Sequence, residues 1–228
     1  MENIVIGIEG LVGAGKTTIA KCLLQKIPNS IILHGGNIYR AIMYGVMKKG
    51  VAQEKLVSIF KGKDIRKVME ELDISIKLKN RETVVYMNGK EIEEKNLQSK
   101  SASTAVSAVS NVADNHSLYA FGKTIIDDFK SKYNVILSSR DIVKMYPEVD
   151  YHFFITASLE ERVRRKCIQY GSNEKEIKEH IQKRDALQKS SGYYQTYEKT
   201  ICIDATNFTS PEEGVGAIMQ HIKLPIEV

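Results

Sequence analysis

Ile4-Val5-Ile6-Gly7-Ile8-Glu9-Gly10-Leu11-Val12-Gly13-Ala14-Gly15-Lys16-Thr17-Thr18 places a short apolar run, a glycine-rich turn and a Lys-Thr pair in direct succession. Ile4 to Ile8 is apolar and is ended by the glycines, which predicts a buried parallel strand. Beyond the turn, Ala20, Leu23, Leu24 and Ile27 recur at helical spacing and Pro28 closes the segment. Ser30 to Leu33 is a second buried strand. A strand, a turn, a helix and a second strand make a βαβ unit, so the fold class is α/β, a parallel sheet flanked by helices. The turn itself is Gly-x-x-x-x-Gly-Lys-Thr. Its glycines let the backbone wrap phosphate oxygens and aim its N–H groups inward, and the helix that follows adds positive charge at its N-terminus. Gly10, Gly13, Ala14, Gly15, Lys16, Thr17 and Thr18 are therefore the expected nucleotide contacts. Lys16 is expected on the β- and γ-phosphates, and the Thr17 hydroxyl on Mg²⁺.

Outward from this loop, residues 53–72 have helical spacing, with Leu56, Ile59, Phe60, Val68 and Leu72 apolar. The period then becomes two at Ile74, Ile76 and Leu78, and Asn88-Gly89 marks a tight turn after Thr83 to Met87. A small antiparallel sheet is thus expected inside a segment inserted into the parallel fold. Residues 103–132 read as two helices, and Asn134 to Leu137 and Tyr151 to Ile155 as strands. Ser158-Leu159-Glu160-Glu161 is a capping box opening a charged helical stretch. Ile201 to Ile203 is the last strand, followed by a helix from about Pro211 to Ile222.

Composition narrows the function. A 43% hydrophobic and 27% charged chain of 228 residues can bury a sizeable core. No stretch approaches the roughly 20 apolar residues that cross a bilayer. No basic leader precedes Ile4, so a cytoplasmic location is expected, without membrane partners. Cys22, Cys167 and Cys202 are too far apart for a disulfide framework or zinc site, and are expected as small buried apolar residues. A net charge of +5 suits an anionic partner, but the basic residues alternate with acidic ones (Lys175-Glu176, Lys178-Glu179), which argues against nucleic acid. No Asn-Lys-x-Asp element reads guanine. The strand ending at Leu137 leads into Ser138-Ser139-Arg140-Asp141, without the strand-end aspartate of motor ATPases.

Taken in order, several further stretches resemble the bacterial cytidylate kinases, within the nucleoside monophosphate kinases. They are Gly36-Asn37-Ile38-Tyr39-Arg40-Ala41, Met87-Asn88-Gly89-Lys90, Ala105-Val106-Ser107-Ala108-Val109-Ser110, Ser139-Arg140-Asp141, Glu160-Glu161-Arg162-Val163-Arg164-Arg165, Lys183-Arg184-Asp185 and Ile203-Asp204. The resemblance implies a core over residues 1–35, 105–159 and 193–228, a monophosphate-binding insertion over 36–104, and a lid over 160–192. It implies ATP and Mg²⁺ as cofactors and a nucleoside monophosphate, CMP or dCMP, as the small-molecule substrate of a monomer. Arg40 and Arg140 would grip the acceptor phosphate, with Ser107 and Asp141 at the cytosine edge. Lys16, Arg140, Arg162, Arg165 and Arg184 would act in catalysis, with Arg164 a further lid candidate.

Departures from the family pattern fall on the acceptor side. His34-Gly35-Gly36-Asn37 stands where the family carries an aspartate turn, and Ser138-Ser139-Arg140-Asp141 replaces Asp-Gly-Arg-Asp. His116 aligns with an expected arginine, and Lys189 is the one basic residue left where a late arginine is expected. Two alternatives follow: a kinase of this scaffold acting on another small acceptor, and an ATP-binding regulatory module with weak or no turnover. Tyr193, Tyr194 and Tyr197 are expected to pack the lid against the core.

Overall fold

The computed structural model describes residues 2–50, 64–97, 116–171 and 173–223. Ser107, residues 53–63 of the helix expected over 53–72 and residues 103–115 of the two expected over 103–132 lie outside them. Among the described residues eight strands form one sheet: β1 (Val5–Gly10), β2 (Ser30–His34), β3 (Ile74–Lys79), β4 (Glu82–Met87), β5 (Lys90–Glu91), β6 (Asn134–Ser138), β7 (Tyr151–Thr156) and β8 (Thr200–Asp204). Their order is β3-β4-β2-β6-β1-β7-β8, with β5 beside β4. The pairs among β2, β6, β1, β7 and β8 are all parallel. Helices are α1 (Lys16–Leu24), α2 (Gly35–Lys48), α3 (Ile65–Glu71), α4 (Glu94–Leu97), α5 (His116–Lys130), α6 (Ile142–Met145), α7 (Leu159–Tyr170), α8 (Glu174–Ser190) and α9 (Pro211–Met219).

Side chains of a strand alternate between its two faces, and the sheet therefore feeds two apolar layers. Val5, Ile31, Leu33, Val135 and Leu137 face one way, onto Ile38, Ile42, Ile65 and Ile126 of α2, α3 and α5. Ile6, Ile8, Ile32 and Ile136 face the other, onto Leu23, Val215 and Ile218 of α1 and α9. Each such aliphatic burial contributes roughly 1.5–3 kcal/mol. Val163, Ile177 and Ile181 join α7 to α8 and enclose Val12, at the tip of the loop after β1.

Two local expectations are met at atomic detail. Asn88 (φ 50°) and Gly89 (φ 70°) are both left-handed, as a tight hairpin requires. The Ser158 hydroxyl accepts the Glu161 N–H at 3.2 Å and starts α7. Two differ. The antiparallel pair β3–β4 is not a free-standing sheet: Ile32 N–H donates to the Arg81 carbonyl at 2.8 Å, so β4 continues the parallel sheet beyond β2. Cys202, on the edge strand β8, is exposed, and Cys22 and Cys167, on α1 and α7, are only half-buried.

The topology opens a crevice. β6 and β7 lie on opposite sides of β1, so the connections leaving the carboxyl ends of β1 and β6 diverge; open α/β sheets bind ligands at such a point. The register pairs Ile8 and His34 with Ser138, which brings three strand ends level. A Cβ at Gly35 would lie 2.7 Å from the Ser139 Oγ, so the start of α2 sits directly against the end of β6.

Candidate phosphate-binding site

The loop from Gly10 to Gly15 leaves β1 through backbone conformations that suit glycine. Gly10 (φ 141°) lies so close to β7 that a Cβ would meet the Ile155 carbonyl oxygen at 2.0 Å. Gly13 and Gly15 are left-handed (φ 82° and 97°). Gly15 caps α1 with no side-chain hydrogen bond, leaving the first-turn N–H groups directed at the loop's concavity. Thr17 and Thr18 are exposed on that first turn. Ala14 is buried beneath the loop.

Lys16 folds over the loop. Its ammonium donates to the Gly10 carbonyl at 2.8 Å and the Leu11 carbonyl at 2.6 Å. Burial, then the positive charge of Arg140 and Arg184, draws its pKa down to about 7. Arg40 on α2 is drawn down to about 10 by burial, then by Arg140 and Arg184. Arg140, two residues past β6, is lowered too, chiefly by burial. Lys16, Arg40, Arg140 and Arg184 thus come from four separate segments and feel one another's charge. Arg140 and Arg184 form no hydrogen bond or ion pair with a described residue; Arg140 lies 5.4 Å over the Tyr193 ring. Like charges gathered in a low-dielectric crevice favour the entry of an anion.

The other arginines are occupied differently. Arg162 is buried; it donates to the carbonyls of Ala157 (3.1 Å) and Val12 (3.2 Å) and pairs with Asp185. Arg165 donates to the carbonyls of Ala14 (3.2 Å) and Ala205 (2.6 Å) and to Glu161 (2.7 Å). Both guanidiniums therefore hold the loop from behind instead of standing in the crevice with Arg184. Arg164, on another face of α7, is exposed and pairs with Glu161. Hydrogen bonds from Arg164, then Arg165, hold the Glu161 carboxyl down to about 2.

Next to Arg140 in the chain, Asp141 is buried and left-handed (φ 54°) at the start of α6. It accepts the Tyr119 hydroxyl at 2.8 Å and lies 3.7 Å from Lys144; burial raises its pKa. His34 is turned onto β4, its Nε2 2.8 Å from Glu82. Lys189 is exposed on the last turn of α8, and the His116 side chain lies outside the described residues.

Glu9 was missed in the sequence reading, although a carboxylate ending an apolar strand is itself a signal. It is buried beneath the crevice, accepting the Ile142 N–H at 2.6 Å and facing His152 Nε2 at 3.2 Å. His152 is fully buried, and its Nδ1 is 2.9 Å from the Thr200 hydroxyl. Glu9 thereby ties the floor of β1 to the segment carrying Arg140 and Asp141.

Among the described residues no group of three His, Cys, Asp or Glu side chains could hold a metal, and no helix is long and apolar enough to cross a membrane. The family model described as cytidylate kinase matches residues 6–224. A cytidylate kinase of Clostridium botulinum (strain Loch Maree / Type A3) is 31% identical over 98% of this chain and 99% of its own length. Those of Clostridioides difficile (strain 630) and Caldanaerobacter subterraneus subsp. tengcongensis are each 30% identical, over 98% and 96% of this chain and 100% and 94% of theirs. With the phosphate loop, the crevice at the sheet's carboxyl edge and this full-length similarity together, the chain belongs to the cytidylate kinase family of phosphotransferases.

Proposed function

We propose that the protein transfers the γ-phosphoryl group of ATP to a nucleoside monophosphate, CMP or dCMP. The observation that carries this reading is the glycine-built loop after β1 with Lys16 folded onto it, near enough to Arg40, Arg140 and Arg184 for their charges to act on one another. Two anionic phosphates must be brought into line for the transfer, and four cations offset their repulsion. The loop from Gly10 to Thr18 binds the ATP phosphates. Lys16 leaves the Gly10 and Leu11 carbonyls for the β- and γ-phosphates. Arg40 and Arg140 hold the acceptor phosphate, and Arg184, on the α7–α8 lid, covers the group in transfer.

The chain also fits Mg²⁺. The exposed Thr17 hydroxyl is a hard oxygen donor beside the loop, as a Mg²⁺ held largely by phosphate oxygens requires. When bound, Mg²⁺ neutralises charge on the β- and γ-phosphates. Arg162 and Arg165 keep the loop's carbonyls turned back so that its N–H groups face the phosphates. No general base is needed, because the attacking oxygen belongs to an ionised phosphate. Asp141, with its pKa raised by burial and Tyr119 donating to it, faces the base.

The test is ADP release from Mg·ATP measured against a panel of nucleoside monophosphates, with water as the blank. Turnover with CMP or dCMP is expected, and Lys16→Ala should reduce it at least about 100-fold, on the scale of losing one preorganised transition-state donor. Silence across the panel with ATP binding intact would discard this reading in favour of another small acceptor or a regulatory module.

A further inference from the structure

Arg140 presents a physical problem that its surroundings solve in an unusual way. Its guanidinium lies among like charges, pushed by Arg184 and itself pushing on Arg40 and Lys16. It forms no hydrogen bond or ion pair with a described residue, so no carboxylate among the described residues holds it in place. What it does have is the face of Tyr193, 5.4 Å from guanidinium carbon to ring centroid, within the range of a cation–π contact. A carboxylate in that place would occupy guanidinium N–H groups and compete with a phosphate for them. An aromatic face attracts the cation yet leaves all five N–H donors available.

The platform is itself fixed. Tyr193 is buried, and its N–H donates to the Gln188 carbonyl at 2.9 Å, closing α8. Gly192 (φ 76°) and Tyr194 (φ 68°) flank it in left-handed conformations, and such a conformation at a bulky residue persists only where the surroundings enforce it. Tyr194 is enforced by Asp185, which accepts its hydroxyl at 3.0 Å, and by Phe154, whose ring it meets edge-on at 5.8 Å. The ring below Arg140 is therefore held at a set height and tilt by α8 and β7.

We infer that Tyr193 is a positioning residue whose ring face aims the Arg140 guanidinium, with its donors unspent, at the phosphate of the acceptor. This rests on the proposed role of Arg140. It does not depend on which nucleoside the phosphate carries.

The test titrates inorganic phosphate, and separately CMP, into protein saturated with Mg·ADP, by calorimetry, for the parent chain, Tyr193→Leu, Tyr193→Phe, Arg140→Ala and Tyr193→Leu/Arg140→Ala. Tyr193→Leu should weaken both ligands about tenfold, while Tyr193→Phe, which keeps the ring face, should stay within about twofold. The double variant should bind no more weakly than Arg140→Ala alone, because the ring acts only through that side chain. Wild-type affinity in Tyr193→Leu, or losses that add in the double variant, would overturn the inference. Should Tyr193→Leu not unfold cooperatively, Tyr193→Phe decides: a tenfold loss on removing only the hydroxyl would overturn it, and retained affinity supports it. If phosphate shows the expected pattern while CMP neither binds nor turns over, the choice of acceptor falls and the role of Tyr193 stands.

Discussion

Lys16 shows how one side chain couples binding to pH. Its pKa is about 7 in the free protein, against 10.5 for an ordinary lysine, because burial and two arginines disfavour its charge. Between those values the unfolded chain holds a proton that the folded chain has released, so this group makes the free protein more stable as pH rises from about 7 toward 10.5. A triphosphate reverses the balance by favouring the ammonium. Binding of Mg·ATP at pH 8 should therefore take up close to one proton, measured by calorimetry in buffers of different ionisation enthalpy, and Lys16→Ala should abolish the uptake. Glu9 acts at the same scale through its hydrogen bond to Ile142. Glu9→Ala leaves that buried N–H unpaired, which costs roughly 1–3 kcal/mol. It should also raise the acceptor KM more than the ATP KM, since Arg140 and Asp141 lie on the released segment. Equal changes in both constants would show that Glu9 only stabilises the fold.

At the scale of elements, the loop after β1 and the pair α7–α8 behave as one assembly. Arg162 and Arg165 reach from α7 to the Val12 and Ala14 carbonyls, Val12 inserts between Val163 and Ile181, and Asp185 on α8 links Arg162 to Tyr194. Burial, then Asp185, raises the Tyr194 pKa, so its hydroxyl stays protonated and donates. Tyr194→Phe keeps the edge-on contact with Phe154 and removes only that donor. The expected outcome is a loss of about 0.5–1.5 kcal/mol in thermal unfolding together with slower turnover. Unchanged turnover in a destabilised variant would separate the latch from catalysis. The element boundaries show what periodicity conveys. The Ser158 cap, the Asn88-Gly89 turn and the parallel strands were legible, because each depends on neighbours in sequence. That β3–β4 joins the edge of β2 was not, since it depends on hydrogen bonds between residues 32 and 81.

For the whole molecule, the crevice unites the loop after β1, α2, the end of β6 and α8, and its like charges repel until an anion enters. Saturating Mg·ATP, or Mg·ADP with CMP, should stabilise the fold by RT ln(1 + [L]/Kd), about 2.7 kcal/mol at a hundredfold excess over Kd. For a chain of this size that raises Tm by roughly 5–10 °C, measured by differential scanning calorimetry, and Arg40→Ala/Arg140→Ala should remove the acceptor's share. The sequence by itself determined the α/β class, the phosphate loop, the lid-bearing arginines as candidates and the family resemblance, because these rest on spacing along the chain and on residue types. Only the tertiary structure shows Arg162 and Arg165 bonded to the loop's carbonyls while Arg184 bonds to no described residue. Arg162, Arg165 and Arg184 carry the same charge, and they are told apart by which carbonyls and carboxylates the packing of α7 and α8 brings within reach. It likewise brought Glu9 to the Ile142 N–H and Tyr193 against the Arg140 guanidinium, contacts between residues far apart in sequence that no local pattern encodes.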